Sequence, residues 1–265
     1  MNWAYFYNME QLSIITICFN NLKDLQQTCE SVDTQTLLPF EHYIIDGSSN
    51  SEIAAWLNNT PQPNYRKWIC ERDKGISDAF NKGIQLVSGS LIHLLNSGDI
   101  YYSNSVITKV IDYFNQHPNT QWISGNIYMK RGGIWVNIGV PFDPKQLYKG
   151  MRAVSHPTWF VRKQVYDRVG LFSTEIKIAM DYDLMCRLSE EAYDYLNETF
   201  VKFDDTGVST SQYLISIREN TKVYESYFGY SLLARIWQIR QSILYYLLQS
   251  KLGKFLYFIK AKYCK

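Results

Sequence analysis

Leu12-Ser-Ile-Ile-Thr-Ile-Cys18 is a short run, almost wholly apolar and rich in β-branched residues, that ends against Phe19-Asn20-Asn21. Such runs form strands buried on both faces of a parallel sheet, because crossover helices cover each face and no side chain has to meet water. Asn20, Asn21 and Asp24 offer side-chain oxygens to stop the strand and cap a helix reaching about Thr34. Outward from there the alternation repeats. His42-Tyr-Ile-Ile45 reads as a second buried strand, closing on Asp46-Gly47-Ser48-Ser49, and a helix from Ser51 to about Asn58 stops before Pro61 and Pro63. A third strand is expected over Lys67–Cys70, a helix from Ser77 to Val87, and a fourth strand over Ser90–Leu95 that runs into Asn96-Ser97-Gly98-Asp99. Strand–helix alternation of this kind predicts right-handed βαβ units and an α/β fold. Ligands in such sheets bind beyond the carboxyl ends of the strands, where Asp46, Asp73 and Asp99 fall.

After about residue 120 the pattern becomes mixed. Trp122–Met129 and Ile134–Gly139 read as two strands around Gly132-Gly133, followed by a strand over Thr158–Arg162 and a helix over Asp181–Glu191. From Tyr213 onward the spacing is helical. The expected organisation is a domain over 1–210 and a helical region over 211–265.

Hydrophobic residues make up 46% and charged residues 20% of the 265, enough apolar material for a sizeable core. A net charge of +2 gives no reason to expect nucleic-acid binding. The five cysteines are scattered with no CxxC pair, which predicts a reducing compartment and no zinc site. The N-terminus lacks a basic-then-apolar leader, and Ile243–Leu248 is far shorter than the roughly 20 apolar residues that span a bilayer. No Walker loop, GxGxxG or nucleophile–histidine constellation occurs, which disfavours P-loop enzymes, dinucleotide oxidoreductases and hydrolases.

The candidate chemistry lies in acids at element ends. Asp46 suits a hydrogen bond from a nucleobase imide or a ribose hydroxyl, and equally an Asx turn or helix cap. Asp99 suits a hard cation on a diphosphate, with Gly98 letting backbone approach the phosphates, though Asn-Ser-Gly-Asp is also ordinary turn chemistry. Asp181 and Asp183 open a helix whose next turn carries Arg187. A helix dipole favours acids there, and so does a general base that deprotonates an acceptor hydroxyl. His156, beside Pro157 and the aromatic Trp159-Phe160, reads first as a structural hydrogen-bonder.

Taken in order, Ser13-Ile-Ile-Thr-Ile-Cys-Phe-Asn20, Tyr43-Ile-Ile-Asp-Gly-Ser-Ser49, Glu71-Arg-Asp-Lys-Gly-Ile-Ser-Asp-Ala-Phe-Asn-Lys-Gly83, Leu94-Leu-Asn-Ser-Gly-Asp99, Ser155-His-Pro and Asp181-Tyr-Asp-Leu-Met-Cys-Arg187 resemble the family 2 glycosyltransferases of bacterial surface-polysaccharide synthesis, nearest the colanic-acid and O-antigen branch. The resemblance covers roughly residues 12–210. It implies a GT-A fold, a mixed, mainly parallel central sheet flanked by helices, here with a C-terminal helical appendage. It also implies an inverting, hexosyltransferase-type enzyme that uses a nucleoside-diphosphate sugar, a UDP-sugar above all.

By position, the resemblance puts Ile17, Phe19 and Asp46 beside the nucleobase. Asp73, Asp78 and Asn81 fall on the ribose and donor-sugar side, Ser97 and Gly98 at the diphosphate. Asp99 is the expected ligand of Mn²⁺ or Mg²⁺ and Asp181 the catalytic base, with Asp183, Arg187 and His156 in support. Two departures stand out: Asn96 and Gly98 occupy positions where relatives carry carboxylates, and Met180 stands where an acid often precedes the base.

From Ser231 to the end the chain has Arg235, Arg240, Lys251, Lys254, Lys260, Lys262 and Lys265 and no acid, interleaved with Leu, Ile, Trp and Tyr at helical spacing. A basic amphipathic helix of this kind lies in an anionic membrane interface, or else packs on the domain with its charges solvated. The first reading fits an acceptor saccharide carried on polyprenyl diphosphate, and a cytoplasmic protein held peripherally on the inner face of the cell membrane. The competing classes are a non-catalytic nucleotide-sugar-binding subunit and a nucleotidyltransferase. The latter would need a glycine-rich loop where this chain has Phe19-Asn20-Asn21-Leu22.

Overall fold

The computed structural model describes residues 9–131, 134–152, 154–203, 212–250 and 253. Among them nine strands form one sheet: β1 (Leu12–Cys18), β2 (Glu41–Asp46), β3 (Arg66–Cys70), β4 (Leu91–Leu94), β5 (Ile100–Tyr101), β6 (Trp122–Arg131), β7 (Ile134–Ile138), β8 (Phe160–Arg162) and β9 (Tyr193–Lys202). The order is β3-β2-β1-β4-β8-β6-β9-β5, and β7 pairs with β6. The first four strands are mutually parallel, so their carboxyl ends share one edge. Beyond β4 the sheet is mixed: β8 runs antiparallel to both β4 and β6, while β9 is parallel to β6.

The helices are α1 (Leu22–Asp33), α2 (Glu52–Asn59), α3 (Ile76–Leu86), α4 (Val106–Gln116), α5 (Lys163–Val169), α6 (Met180–Arg187), α7 (Tyr213–Phe228) and α8 (Leu232–Gln249). Successive side chains of a strand point to opposite faces, and β1 is buried on both. Its Ile15 joins Ile45, Ile92 and Leu94 beneath α3, α5 and α6. Its Leu12 and Ile14 face the other way, with Leu91, Val32 of α1 and the Val106, Val110 and Phe114 stripe of α4. Two-sided burial is why its two polar side chains, Ser13 and Thr16, each meet a partner on β2, Glu41 and His42.

The βαβ order stands as expected, with ends shifted by a residue or two. Two local expectations change. Asn21 occupies the N-cap position of α1 but does not cap it, because its Oδ1 accepts the Phe19 N–H at 3.0 Å instead. The helix expected over Asp181–Glu191 ends at Arg187, followed by a 3₁₀ turn over Leu188–Glu190. Helices α4 and α5 and strands β5 and β9 have no counterpart in the expected pattern. Gly132-Gly133, Lys251, Lys254, Lys260, Lys262 and Lys265 lie outside the described residues.

Candidate active site

Three strand ends meet at the carboxyl edge of the parallel block. Cys18, Asp46 and Cys70 lie in register across β1, β2 and β3, so Asp46 is flanked by two thiols. The Asp46 carboxylate is buried, and its Oδ1 accepts the Ser48 N–H at 3.0 Å, which holds the following turn. Burial, then the neighbouring carboxylate, pushes the Cys70 thiol up to about 11, and Cys18 is raised further for the same reasons. Neither thiol is a thiolate near neutrality, so neither is a ready nucleophile.

Gly47 follows directly, and a methyl group on it would lie 1.8 Å from Asp73 Oδ2. Only a residue without a side chain lets the β2 turn and the Asp73 carboxylate approach this closely. Asp73 Oδ1 accepts the Gly75 N–H at 2.9 Å, and Asp78 Oδ2 accepts the Lys74 N–H at 2.9 Å. The two acids thus shape the loop that enters α3 and remain at its rim. Asn81 is engaged differently. Its amide makes a two-way bridge to the backbone of Phe172, donating to the carbonyl and accepting from the N–H, each at 2.9 Å. Phe19 stands out into solvent at 61% exposure, beyond the end of β1.

The loop after β4 is pinned from both sides. Ser97 N–H donates to Ile17 O at 3.2 Å. Thr28 of α1 accepts the Gly98 N–H at 2.9 Å and donates to Asp99 O at 2.8 Å. Gly98 has φ 105°, a left-handed conformation that a side chain would strain. Asp99 is buried, and Ser97 Oγ is buried with no hydrogen-bond partner.

Asp181 sits in the first turn of α6, and its neighbours join it to α3. Ser77 of α3 donates to the sulfur of Met180 at 3.0 Å. His156 packs on Phe80 of α3 at 5.5 Å between ring centroids and on Trp159 at 5.1 Å, with its Nδ1 3.9 Å from Asp181 Oδ2. Burial raises the Asp181 pKa and lowers that of His156, each partly offset by the other. Burial thus disfavours the charged form of each group, and His156 is no strong counter-ion. Among the described residues neither Asp181 Oδ1 nor Trp159 Nε1, both buried, has a hydrogen-bond partner. Leaving a buried polar atom unmatched costs about 1–3 kcal/mol.

Asp183 and Arg187 are fully engaged. Arg187 Nη2 donates to Asp183 Oδ2 at 2.7 Å, its Nη1 reaches the carbonyls of Val169 and Gly170, and Tyr227 OH donates to Asp183 Oδ1 at 2.8 Å. Their place is to hold α6 against the α5 loop and α7. Sequence reasoning missed Thr28 and Tyr227; each acts across long chain separations that no local pattern encodes.

A parallel block with acids at its carboxyl ends, a glycine-bearing loop after β4 and a helix carrying Asp181 across from it fit the GT-A fold. Residues 13–170 match the family described as Glycosyl transferase family 2, and the chain belongs to that family. An uncharacterised glycosyltransferase of Mycobacterium tuberculosis (strain ATCC 25618 / H37Rv) is 28% identical over 202 residues, covering 75% of this chain and 77% of its own. A PGL/p-HBAD biosynthesis glycosyltransferase of Mycobacterium bovis (strain BCG / Pasteur 1173P2) is 26% identical over 180 residues, 66% of this chain and 68% of its own. Among solved structures, S. aureus TarS 1-349 in complex with UDP-GlcNAc superposes with a TM-score of 0.61 at 15% identity, covering 81% of this chain. This chain spans 66% of that one, and at that identity the likeness is one of fold.

Proposed function

We propose that this glycosyltransferase moves a sugar from a UDP-sugar to a hydroxyl of a lipid-linked saccharide, with inversion at the anomeric carbon. In that reaction the acceptor oxygen attacks the anomeric carbon and forms the new glycosidic bond. The bond from that carbon to the diphosphate breaks, UDP leaves, and the hydroxyl proton passes to the Asp181 carboxylate. The observation that carries this reading is Asp181 itself: a carboxylate with one oxygen buried and unpartnered, its pKa raised by burial, and no cation holding it. Burial makes such a carboxylate a stronger proton acceptor than an exposed one.

On the donor side, Asp46 and the end of β1 would meet the base, and the Asp73–Asp78 loop the ribose and sugar. A divalent cation fits a buried carboxylate such as Asp99, since Mg²⁺ is commonly held by one or two carboxylates together with substrate phosphates. No cluster of three acids, histidines or cysteines occurs among the described residues, so the diphosphate would complete the shell. A bound Mn²⁺ or Mg²⁺ would offset the charge of the departing diphosphate.

The lipid-linked acceptor rests on α8. Leu232, Leu233, Ile236, Ile239, Ile243, Tyr246 and Leu247 are each more than half exposed, and no acid occurs from Ser231 to Lys265. Arg235 is paired with Glu225, but an exposed apolar stripe on a segment whose own sequence carries cations and no acid suits an anionic lipid surface. None of the described helices is long and apolar enough to cross a membrane.

A panel of nucleotide sugars with and without Mn²⁺, read by release of nucleoside diphosphate, tests the donor. UDP-sugars should turn over and other nucleotides should not; turnover of GDP- or dTDP-sugars alone refutes the base assignment. Flotation with anionic vesicles tests the surface. Ile236→Asp/Ile243→Asp should abolish co-flotation while leaving turnover of a soluble acceptor intact, and unchanged flotation refutes the lipid contact.

A further inference from the structure

Helix α6 lacks a cap of its own. Ala179 stands at the N-cap position and has no side-chain oxygen. Yet the Ile178 and Ala179 N–H groups are both satisfied, by one oxygen from outside the helix: Glu219 Oε2 on α7 accepts them at 2.9 and 3.0 Å. Helix starts are ordinarily capped from within by Ser, Thr, Asp or Asn, worth about 1 kcal/mol. Hydrogen bonds to an ionised acceptor are roughly twice as strong as neutral ones.

The two acids of α6 are held in opposite ways. Asp183 is gripped through its own side chain, by Arg187 and by Tyr227. Asp181 has a buried oxygen with no partner and a 3.9 Å approach to an imidazole that burial keeps neutral. Its position must therefore come from its backbone, and the backbone immediately before it is what Glu219 fixes. A proton acceptor has to stand about 2.6–3.2 Å from the donor oxygen, so a small shift of this turn moves it out of range.

We propose that Glu219 is a positioning residue for transfer: from a helix beyond the family-matched segment it sets the turn from which Asp181 reaches the acceptor hydroxyl. This rests on the reading of Asp181 as the base. It makes α7 part of the working site, although residues 13–170 alone match the family and nothing in the sequence around Glu219 marks it.

Two substitutions separate geometry from charge. Glu219→Gln keeps an acceptor oxygen in place without charge; Glu219→Asp keeps the charge and withdraws the oxygen by one methylene. Full-length variants are assayed with whichever of UDP-N-acetylglucosamine, UDP-glucose and UDP-galactose the wild-type chain turns over. The expected result is a kcat lowered roughly 10- to 100-fold in Glu219→Asp, as for a small misplacement of a reacting group. Donor KM should stay within about twofold, the scatter of independent sites. Glu219→Gln should keep most of kcat, and adding Glu219→Asp to Asp181→Asn should cause no further loss. Wild-type kcat in Glu219→Asp, or a fall in both variants with donor KM rising alongside, overturns the proposal. If Asp181→Asn alone stays active, the base assignment falls and takes the proposal with it. A dead Asp181→Asn beside a normal Glu219→Asp sinks the proposal alone.

Discussion

The two sides of the site are built by different means. On the nucleotide side, Asp46, Asp73 and the 96–99 loop stand at the ends of adjacent parallel strands or in the loops that follow them. What fixes them is local: a turn N–H on Asp46, a missing side chain at Gly47, a left-handed Gly98. On the base side, α6 is a short helix without its own cap, tied down by Glu219 and Tyr227 from α7 and by Arg187 on the carbonyls of Val169 and Gly170. The lesson is that a sheet edge positions ligand groups through the chain's own continuity, whereas a base presented by a short helix depends on distant side chains. Substitutions on the first side should act on donor binding, with turnover affected as well only at Asp99, whose proposed cation would carry leaving-group charge, and those on the second on turnover and stability.

The largest effect should come from Asp99→Ala. As the one buried carboxylate on the β4 loop, its loss should lower turnover about 10²–10³-fold, the scale for removing a group that stabilises developing charge. It should also shift the Mn²⁺ concentration for half-maximal rate upward, and an unchanged metal titration contradicts the assignment. Next comes Gly47→Ala, whose methyl would collide with Asp73 Oδ2. Donor KM should rise about tenfold, equivalent to roughly 1.4 kcal/mol, with a smaller change in kcat. An effect on kcat alone would erase the distinction between the two sides. The smallest should be Tyr227→Phe, which removes one hydrogen bond to the buried Asp183. A loss of about 1 kcal/mol is expected, and about 2–4 °C in Tm, with donor KM unchanged.

The contrast also explains what could be read beforehand. The βαβ alternation of β1 to β4 was legible because two-sided burial leaves an unmistakable apolar run, and the strand-end acids follow from it. Helix α4 was legible too, since Val106, Ile107, Val110, Ile111 and Phe114 repeat at helical spacing, yet the expected pattern omitted it. Strand β9 was not legible. Its residues are mostly half-buried, and its register against β6 slips between Ser124 and Ile127, so no alternation survives. Asn21 looked like a cap because its type suits one, but a nearer N–H claimed its oxygen. Glu219 was invisible for the opposite reason: its partners lie on a segment brought near only by folding.

The central claim is that Asp181 is a base kept under-partnered at the expense of stability. Burial raises its pKa, so ionising it disfavours the folded state. That penalty is absent at pH below the ordinary carboxylate range and grows as pH rises through the raised value. Thermal melts of Asp181→Asn and wild type across pH, alongside turnover, test this most directly. The account predicts a variant that has lost transfer but melts higher at pH 7, the gap closing as the pH falls. A variant that keeps its turnover, or melts lower at pH 7, contradicts it.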